Sequence, residues 1–123
     1  MICLDTNYLI LGLVVGSPES AQLIAWFHAG ERLITPMPAW YEFLCGPVTQ
    51  PQIDAIRAFL HEIRPFDELT ATTAAQLFNA AHRKRPLRVD AMIAATAITA
   101  GAVLATNNQK DFAVFISSGL QIV

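Results

Sequence analysis

Four carboxylates lie at the edges of apolar segments in distant parts of this chain. They are Asp5, Glu42, Asp90 and Asp111, and the chain has only ten Asp and Glu in all. An unpaired charge beside a segment that will be buried is costly, so each of these groups needs a partner or a proton. Four such groups brought together would repel one another unless a hard divalent cation such as Mg²⁺ or Mn²⁺ lay between them. One or two such ions could activate water for phosphodiester cleavage.

Each carboxylate also has a local interpretation. Asp5 could cap the helix that follows it, and Asp90 could be an N-cap or a first-turn acid in its own helix. Asp111 could be a first-turn acid in a helix capped by Asn108. Glu42 lies inside a predicted helix, where capping does not explain it, although a plain surface position would. The metal site and the local roles therefore both remain open for these residues.

Composition limits the classes of protein that this chain can be. A length of 123 residues predicts a single domain over 1–123. With 54% apolar and 15% charged residues, disorder is excluded, and apolar surface should remain for a second copy or another partner chain. No apolar run is long enough to span a bilayer, and the first residues lack the basic segment of a signal peptide. Cys3 and Cys45 do not form a metal-binding or disulfide pattern, so we expect buried free thiols and a cytoplasmic protein.

Apolar segments that alternate between strand and helix character place the four acids on a scaffold. The predicted strands are Met1–Leu4, Leu33–Thr35, Arg64–Phe66, Ala102–Ala105 and Leu120–Val123. The predicted helices are Tyr8–Val15, Glu19–Ala29, Met37–Leu44, Gln50–Ile63, Thr70–His82, Asp90–Ala100 and Lys110–Ile116. This alternation predicts an α/β fold with a mainly parallel sheet. Asp5 directly follows one strand and the segment 106–111 follows another, so parallel strands would bring both loops to one edge of the sheet.

The ordered set of segments resembles a known family. The segments are Leu-Asp5-Thr-Asn, Glu42 before Gly-Pro, Asp90-Ala-Met-Ile-Ala-Ala-Thr-Ala, and Leu-Ala-Thr106-Asn-Asn-Gln-Lys-Asp111-Phe. Together they are similar, over the whole chain, to the PIN-domain ribonucleases and in particular to the VapC-type toxins of bacterial toxin–antitoxin pairs. The resemblance implies a three-layer α/β/α sandwich and a Mg²⁺- or Mn²⁺-dependent endoribonuclease that is inhibited by an antitoxin protein.

The resemblance also implies roles for individual residues. Asp5, Glu42 and Asp90 match the family's metal-binding acids, and Asp111 matches its more variable fourth acid. Thr106 matches a hydroxyl at the end of a strand that contacts a metal-bound water or an acid, and Thr6 could do the same. For both threonines, a local cap or turn is the alternative.

A basic turn follows the fifth predicted helix. Four of its residues, Arg83, Lys84, Arg85 and Arg88, fall within six positions, although the net charge of the chain is −2. The turn could be a solvated helix end, because cations are favoured at a helix C-terminus. It also leads into Asp90, where it could hold RNA phosphates together with Asn107.

Two other functions remain open. The first is an aspartate-dependent phosphoryl-transfer enzyme with Asp5 as the nucleophile, although the usual second aspartate two residues later is here Asn7. The second is a non-catalytic module of the same fold that binds RNA or protein only.

Overall fold

The centre of the protein is a sheet of four short parallel strands. The computed structural model describes all of residues 1–123. The strands are β1 (Ile2–Leu4), β2 (Leu33–Pro36), β3 (Glu62–Arg64) and β4 (Val103–Ala105), in the order β3-β2-β1-β4. Each neighbouring pair is parallel, and Ile2 is in register with Leu33 on one side and Val103 on the other. The predicted parallel sheet is thus confirmed, and the loops after β1 and β4 leave from the same edge.

Seven helices connect and cover the strands. They are α1 (Thr6–Leu11), α2 (Pro18–His28), α3 (Met37–Cys45), α4 (Gln50–Phe59), α5 (Glu68–Ala80), α6 (Arg88–Ala100) and α7 (Gln109–Phe112). Local sequence explains several helix starts: the side chains of Ser17, Thr49 and Asp67 cap α2, α4 and α5, each accepting from a backbone N–H of the first turn. None of these helices combines the length and the hydrophobicity that crossing a membrane requires.

Two apolar clusters lie on opposite faces of the sheet because successive strand residues point in opposite directions. Ile2 and Leu4 belong to a cluster that includes residues of α1, α2, α3 and α4. Cys3, between them, belongs to the other cluster, which is formed mainly by α5, α6 and the segment after α7. Helices therefore cover both faces, which confirms the three-layer α/β/α arrangement.

Some predicted boundaries differ from the structure. The helix expected over 50–63 ends at Phe59, because Leu60 is extended and the His61 N–H donates to the Leu33 carbonyl at 2.8 Å. Pairing with β2 thus starts earlier than predicted, and β3 ends just before Pro65, at the edge of the sheet. The expected last strand is reduced to one parallel bridge between Leu104 and Ile122.

Two further predictions were partly wrong. The expected helix over 110–116 is the short α7 followed by a 3₁₀ turn over Ala113–Ser118. Both cysteines are free, as expected, but only Cys3 is buried, and Cys45 is exposed at the end of α3. Burial raises the pKa of the Cys3 thiol, which is therefore unreactive.

The helices that form one face, α5 and α6, end in the same hydrogen-bonding motif but with different residues. After α6, Gly101 has φ +67°, and the Ala102 N–H donates to the Ala97 carbonyl. After α5, His82 takes the corresponding left-handed position with φ +61°, and the Arg83 N–H donates to the Phe78 carbonyl. Glycine usually occupies this position, because a Cβ there is strained.

We therefore expect His82→Gly to stabilise the protein. The substitution removes about 1 kcal/mol of backbone strain, partly offset by the greater entropy of glycine in the unfolded chain, for a net gain of about 0.5 kcal/mol. His28→Gly is the matched control, because His28 is also exposed but is the last residue of α2 and has no left-handed backbone, so glycine there relieves no strain and should be destabilising. Urea unfolding measures both changes. Equal losses of stability in the two variants would contradict this explanation.

Candidate active site

Asp5 is held at the carboxyl end of β1 by two hydrogen bonds. Its Oδ1 accepts from the Thr6 N–H at 2.7 Å, so Asp5 is the N-cap of α1. Its Oδ2 accepts from the Thr106 hydroxyl at 2.8 Å, across the adjacent end of β4. The side chain is buried, and burial raises the pKa of Asp5 while the hydrogen bonds from Thr106 and Thr6 oppose that rise. Capping and a role in a site are thus compatible for Asp5, because the two oxygens have different partners.

Glu42 connects α3 to the start of α1. Its Oε1 accepts from the Thr6 hydroxyl at 2.8 Å. Thr6 therefore contacts two acids, Asp5 through its backbone and Glu42 through its side chain. The side chain of Glu42 is exposed, but this contact directs it towards the edge of the sheet where Asp5 lies.

Asp90 lies in the first turn of α6 and is half-buried. The N-cap interpretation does not hold, because Leu87 occupies that position and makes no side-chain capping bond. The pKa of Asp90 is raised to about 6, first by burial and then by the negative charges of Asp5, Asp111 and Glu42. One half-buried carboxylate thus experiences the charges of three others that come from different elements.

Asp111, like Glu42, has an exposed side chain. It lies in α7, and its Oδ2 accepts from the Asn108 side chain at 2.9 Å. Asp111 is a first-turn acid of α7 and Asn108 is its N-cap residue, as expected, but the Asn108 side chain makes no capping bond to the backbone and donates to Asp111 instead. Its charge nevertheless acts on Asp90, so it also lies near the other acids.

The four acids have the chemistry that a hard divalent cation requires, although their carboxylates do not converge on a single position. No group of three His, Cys, Asp or Glu side chains stands close enough together to hold a metal ion in this conformation. The donors are all oxygens, and only other carboxylates contribute to the charge-induced rise in the pKa of Asp90. Glu42 and Asp111 are exposed, and each accepts one side-chain hydrogen bond, from Thr6 and from Asn108, so each keeps a second carboxylate oxygen for an ion. The residues present therefore fit a site for Mg²⁺ or Mn²⁺, which takes oxygen ligands and keeps several waters.

Comparison with known protein families identifies the chain. The family model of the PIN domain matches residues 2–115. The chain belongs to the PIN domain family. No curated protein sequence matches it significantly. Family membership confirms the resemblance found in the sequence, and members of this family are generally nucleases that use divalent metal ions.

Solved structures of toxin–antitoxin complexes contain chains that are similar to this PIN domain. A chain of a toxin–antitoxin complex from Klebsiella pneumoniae is 29% identical, with a TM-score of 0.70, over 92% of this chain and 91% of that one. VapBC-1 from nontypeable Haemophilus influenzae is 24% identical, with a TM-score of 0.71, over 100% and 97%. DNA-bound VapBC from Salmonella typhimurium is 19% identical, with a TM-score of 0.75, over 99% and 96%. At 24% and 19% identity, the last two similarities show the fold alone.

The residues predicted to bind RNA do not share one environment in this PIN domain. Arg83, Lys84 and Arg85 are exposed, and none of them takes part in either of the two ion pairs of the protein. The guanidinium of Arg88 instead lies over the Phe78 ring, 5.6 Å from its centroid. Arg88 thus packs against α5, whereas the other three cations remain free to meet a ligand.

Asn107 and two residues that were not predicted to act in the site also have clear positions. Asn107 donates to Glu19 Oε1 at 3.0 Å, which ties the loop after β4 to the start of α2. Glu19 is a first-turn acid of α2, and that local role gave the sequence no reason to place it here. Lys110 lines a cavity together with Lys84. The one feature of the sequence that could have indicated a place for Lys110 near the site is its position directly before Asp111.

We expect Thr106→Val to destabilise the protein by about 1–2 kcal/mol. The substitution removes the hydroxyl that donates to the buried Asp5 carboxylate and that accepts from the Asn108 N–H at 2.9 Å. Thr106→Ser keeps the hydroxyl and should recover most of the loss. Thr99→Val is the matched control, because the Thr99 hydroxyl only donates to carbonyls of its own helix. Urea unfolding followed by circular dichroism measures the differences, and equal losses at Thr106 and Thr99 would contradict the argument.

Proposed function

We propose that residues 1–123 form a single nuclease domain that hydrolyses RNA phosphodiester bonds with Mg²⁺ or Mn²⁺. The observation that carries the proposal is the half-buried Asp90 carboxylate, on which the charges of Asp5, Asp111 and Glu42 act. Perturbed carboxylates grouped at one edge of an α/β sheet are typical of a catalytic site rather than of a packing arrangement. Membership of the PIN domain family supports the same conclusion.

In this proposal Asp5, Glu42, Asp90 and Asp111 hold the metal. A divalent cation bound there would activate a water molecule and stabilise the leaving oxygen of the phosphodiester. Burial of Asp5 and half-burial of Asp90 reduce the hydration of these carboxylates that a bound cation would have to displace. The exposed acids, Glu42 and Asp111, leave the site open to a strand of RNA.

Two threonines position the acids. The Thr106 hydroxyl fixes one oxygen of Asp5, and the Thr6 N–H fixes the other, so the carboxylate cannot rotate freely. The Thr6 hydroxyl does the same for one oxygen of Glu42. Hydrogen bonds of this kind orient metal-binding carboxylates before the ion arrives, which reduces the cost of forming the site. Thr6 and Thr106 are therefore positioning residues in this mechanism.

The accessible cations support a nucleic-acid substrate. The side chains of Arg83, Lys84 and Arg85 are exposed and unpaired within the turn that leads into α6. They can meet the phosphates of a strand whose cleaved bond lies at the acids. Because the site is an open edge, single-stranded loops of structured RNA are the class of substrate that fits.

We further propose that the protein is the toxin of a toxin–antitoxin pair in the cytoplasm. Similar chains occur in a toxin–antitoxin complex from K. pneumoniae and in VapBC-1 from H. influenzae. An antitoxin could block the site by inserting an arginine among the acids, because the guanidinium would replace the charge of the metal. Exposed apolar side chains, including those of Val15, Tyr41 and Leu69, leave surface for an antitoxin and for a second copy of the chain.

The phosphoryl-transfer alternative is less well supported. Asn7 stands where a second aspartate would be required, and its side chain is exposed in α1. Trapping a phosphoaspartate at Asp5 would revive that alternative. A non-catalytic module is distinguished by RNA binding without metal binding or cleavage.

We expect Asp5→Asn and Asp90→Asn each to lower the rate of Mg²⁺-dependent RNA cleavage on the order of 100-fold. Asp54→Asn is the matched control, because Asp54 is an exposed acid of α4, outside the group that acts on Asp90. Single-turnover cleavage of a structured RNA measures the rates. Full activity in the Asp5 and Asp90 variants would disprove the proposed function.

We also expect Asp90→Asn to stabilise the metal-free protein. Above pH 6, the charged Asp90 is disfavoured in the folded state, because its pKa there, about 6, is above the ordinary value of 3.8. That difference corresponds to about 3 kcal/mol, which solvent screening of a half-exposed group reduces to about 1 kcal/mol. Thermal unfolding at a pH well above 6 measures the gain.

Added Mg²⁺ should reverse the order of stability in the same measurement. The ion should raise the melting temperature of the unsubstituted protein and of Asp54→Asn, because it binds the folded state only. Asp90→Asn should respond much less. If Mg²⁺ raises the three melting temperatures equally, Asp90 is not a ligand.

A further inference from the structure

A cavity of about 540 Å³ lies between the basic turn and α7. The residues that line it are Lys84, Pro86, Leu87, Lys110, Asp111 and Val114. Its volume is within the range of about 300–1,000 Å³ that is usual for small-ligand sites. The cavity is open to solvent, so a segment of a longer molecule could enter it without closing it off.

The charged part of the lining favours an anion. Lys84 and Lys110 come from two different elements, the basic turn and α7. Both are exposed, and neither takes part in an ion pair. Two unpaired ammonium groups at one cavity offer up to six donors, and a phosphate group is the anion in RNA that they would meet.

The rest of the lining is mainly apolar. Pro86 and Leu87 form one part of the wall, and Val114 forms another. Val114 is 43% exposed and belongs to neither of the two apolar clusters. Apolar contacts beside a pair of cations suit a ligand with a phosphate on one side and a flat, weakly hydrated ring on the other. A nucleotide has both features.

The cavity adjoins the acids of the candidate active site. Asp111 belongs to its wall, so the same carboxylate borders both regions. On the other side, Leu87 is the N-cap of α6, and Asp90 follows it within the first turn. A ligand in the cavity would therefore contact Asp111 directly and would lie against the start of the helix whose first turn carries Asp90.

We propose that this cavity binds the nucleotide next to the phosphodiester that is cleaved. Lys84 and Lys110 hold its phosphate, and its base lies against Pro86, Leu87 and Val114. The apolar wall contacts the face of the base, so it accepts different bases and fixes the position of the strand. This inference rests on the proposed function, because it takes RNA as the substrate.

Binding of RNA without metal tests the lysines. The probe is a fluorescently labelled, mixed-sequence single-stranded oligoribonucleotide, titrated with each protein in EDTA at several salt concentrations. Lys84→Ala and Lys110→Ala should each weaken binding about 5-fold and reduce the slope of log K against log salt by about 0.7. Arg32→Ala is the matched control, because Arg32 is an exposed cation just before β2, at the opposite edge of the sheet, and it should change neither quantity.

A second pair of variants tests the apolar wall. Val114→Ser should weaken binding about 3-fold and leave the salt slope unchanged, because it removes apolar contact but no charge. Ile116→Ser is the control, since Ile116 is 52% exposed in the same 3₁₀ turn but does not line the cavity. Both side chains are on the surface, so the folding of either variant should be unaffected.

The outcomes separate this inference from the proposed function. Lysine variants that behave like Arg32→Ala, or a Val114→Ser protein that binds like Ile116→Ser, would overturn the nucleotide site. The absence of any RNA binding by the unsubstituted protein would overturn it as well. Cleavage by the same proteins in Mg²⁺ is measured separately: cleavage that depends on Asp90 but not on the lysines would leave the proposed function intact and the cavity without a role.

Discussion

The pairing of β1 with β4 is the constraint on which the site depends. The Asp5 N–H donates to the Ala105 carbonyl at 3.1 Å, and the Thr106 hydroxyl donates to the Asp5 carboxylate at 2.8 Å. These two bonds join residues that are about a hundred positions apart in the chain and bring the ends of both strands to one edge. The β1–β4 register therefore fixes where Asp5 lies relative to the loop that carries Asp111. A slip of one residue would turn Asp5 to the opposite face of the sheet.

The site is electrostatically unfavourable in the metal-free protein, and the rest of the fold compensates for it. Burial and three like charges act together to raise the pKa of Asp90. The stability that offsets this repulsion comes from two apolar clusters, one on each face of the sheet. Neither cluster contains any of these acids. The hydroxyls of Thr6 and Thr106 supply local donors to two carboxylates. A cation bound as proposed would remove most of the repulsion, so metal binding would be coupled to stability.

The sequence predicted the parallel sheet, the common edge from which the loops after β1 and β4 leave and the nearly apolar α6, because all three follow from patterns of buried residues. It could not predict that α4 stops at Phe59, since the apolar spacing continues through Ile63 and only pairing with β2 decides the boundary. Nor could it assign Arg88, because the sequence places it among free cations whereas the fold stacks it on Phe78. The orientation of a surface side chain depends on its neighbours in space, about which spacing along the chain says little.

The distribution of charge makes a net charge of −2 compatible with the proposed binding of RNA. The acids at the edge of the sheet lie beside a turn that carries Arg83, Lys84 and Arg85, so the surface has a negative centre with a positive neighbour. Phosphates of a strand would be attracted to the turn and repelled from the bare acids until a cation neutralises them. In the proposed mechanism, the metal would therefore have an electrostatic effect on substrate binding as well as a chemical one. An inhibitor that delivers a guanidinium to the acids would exclude the metal and leave the basic turn unchanged. It would therefore need to compete only with the metal for the acids in order to prevent cleavage.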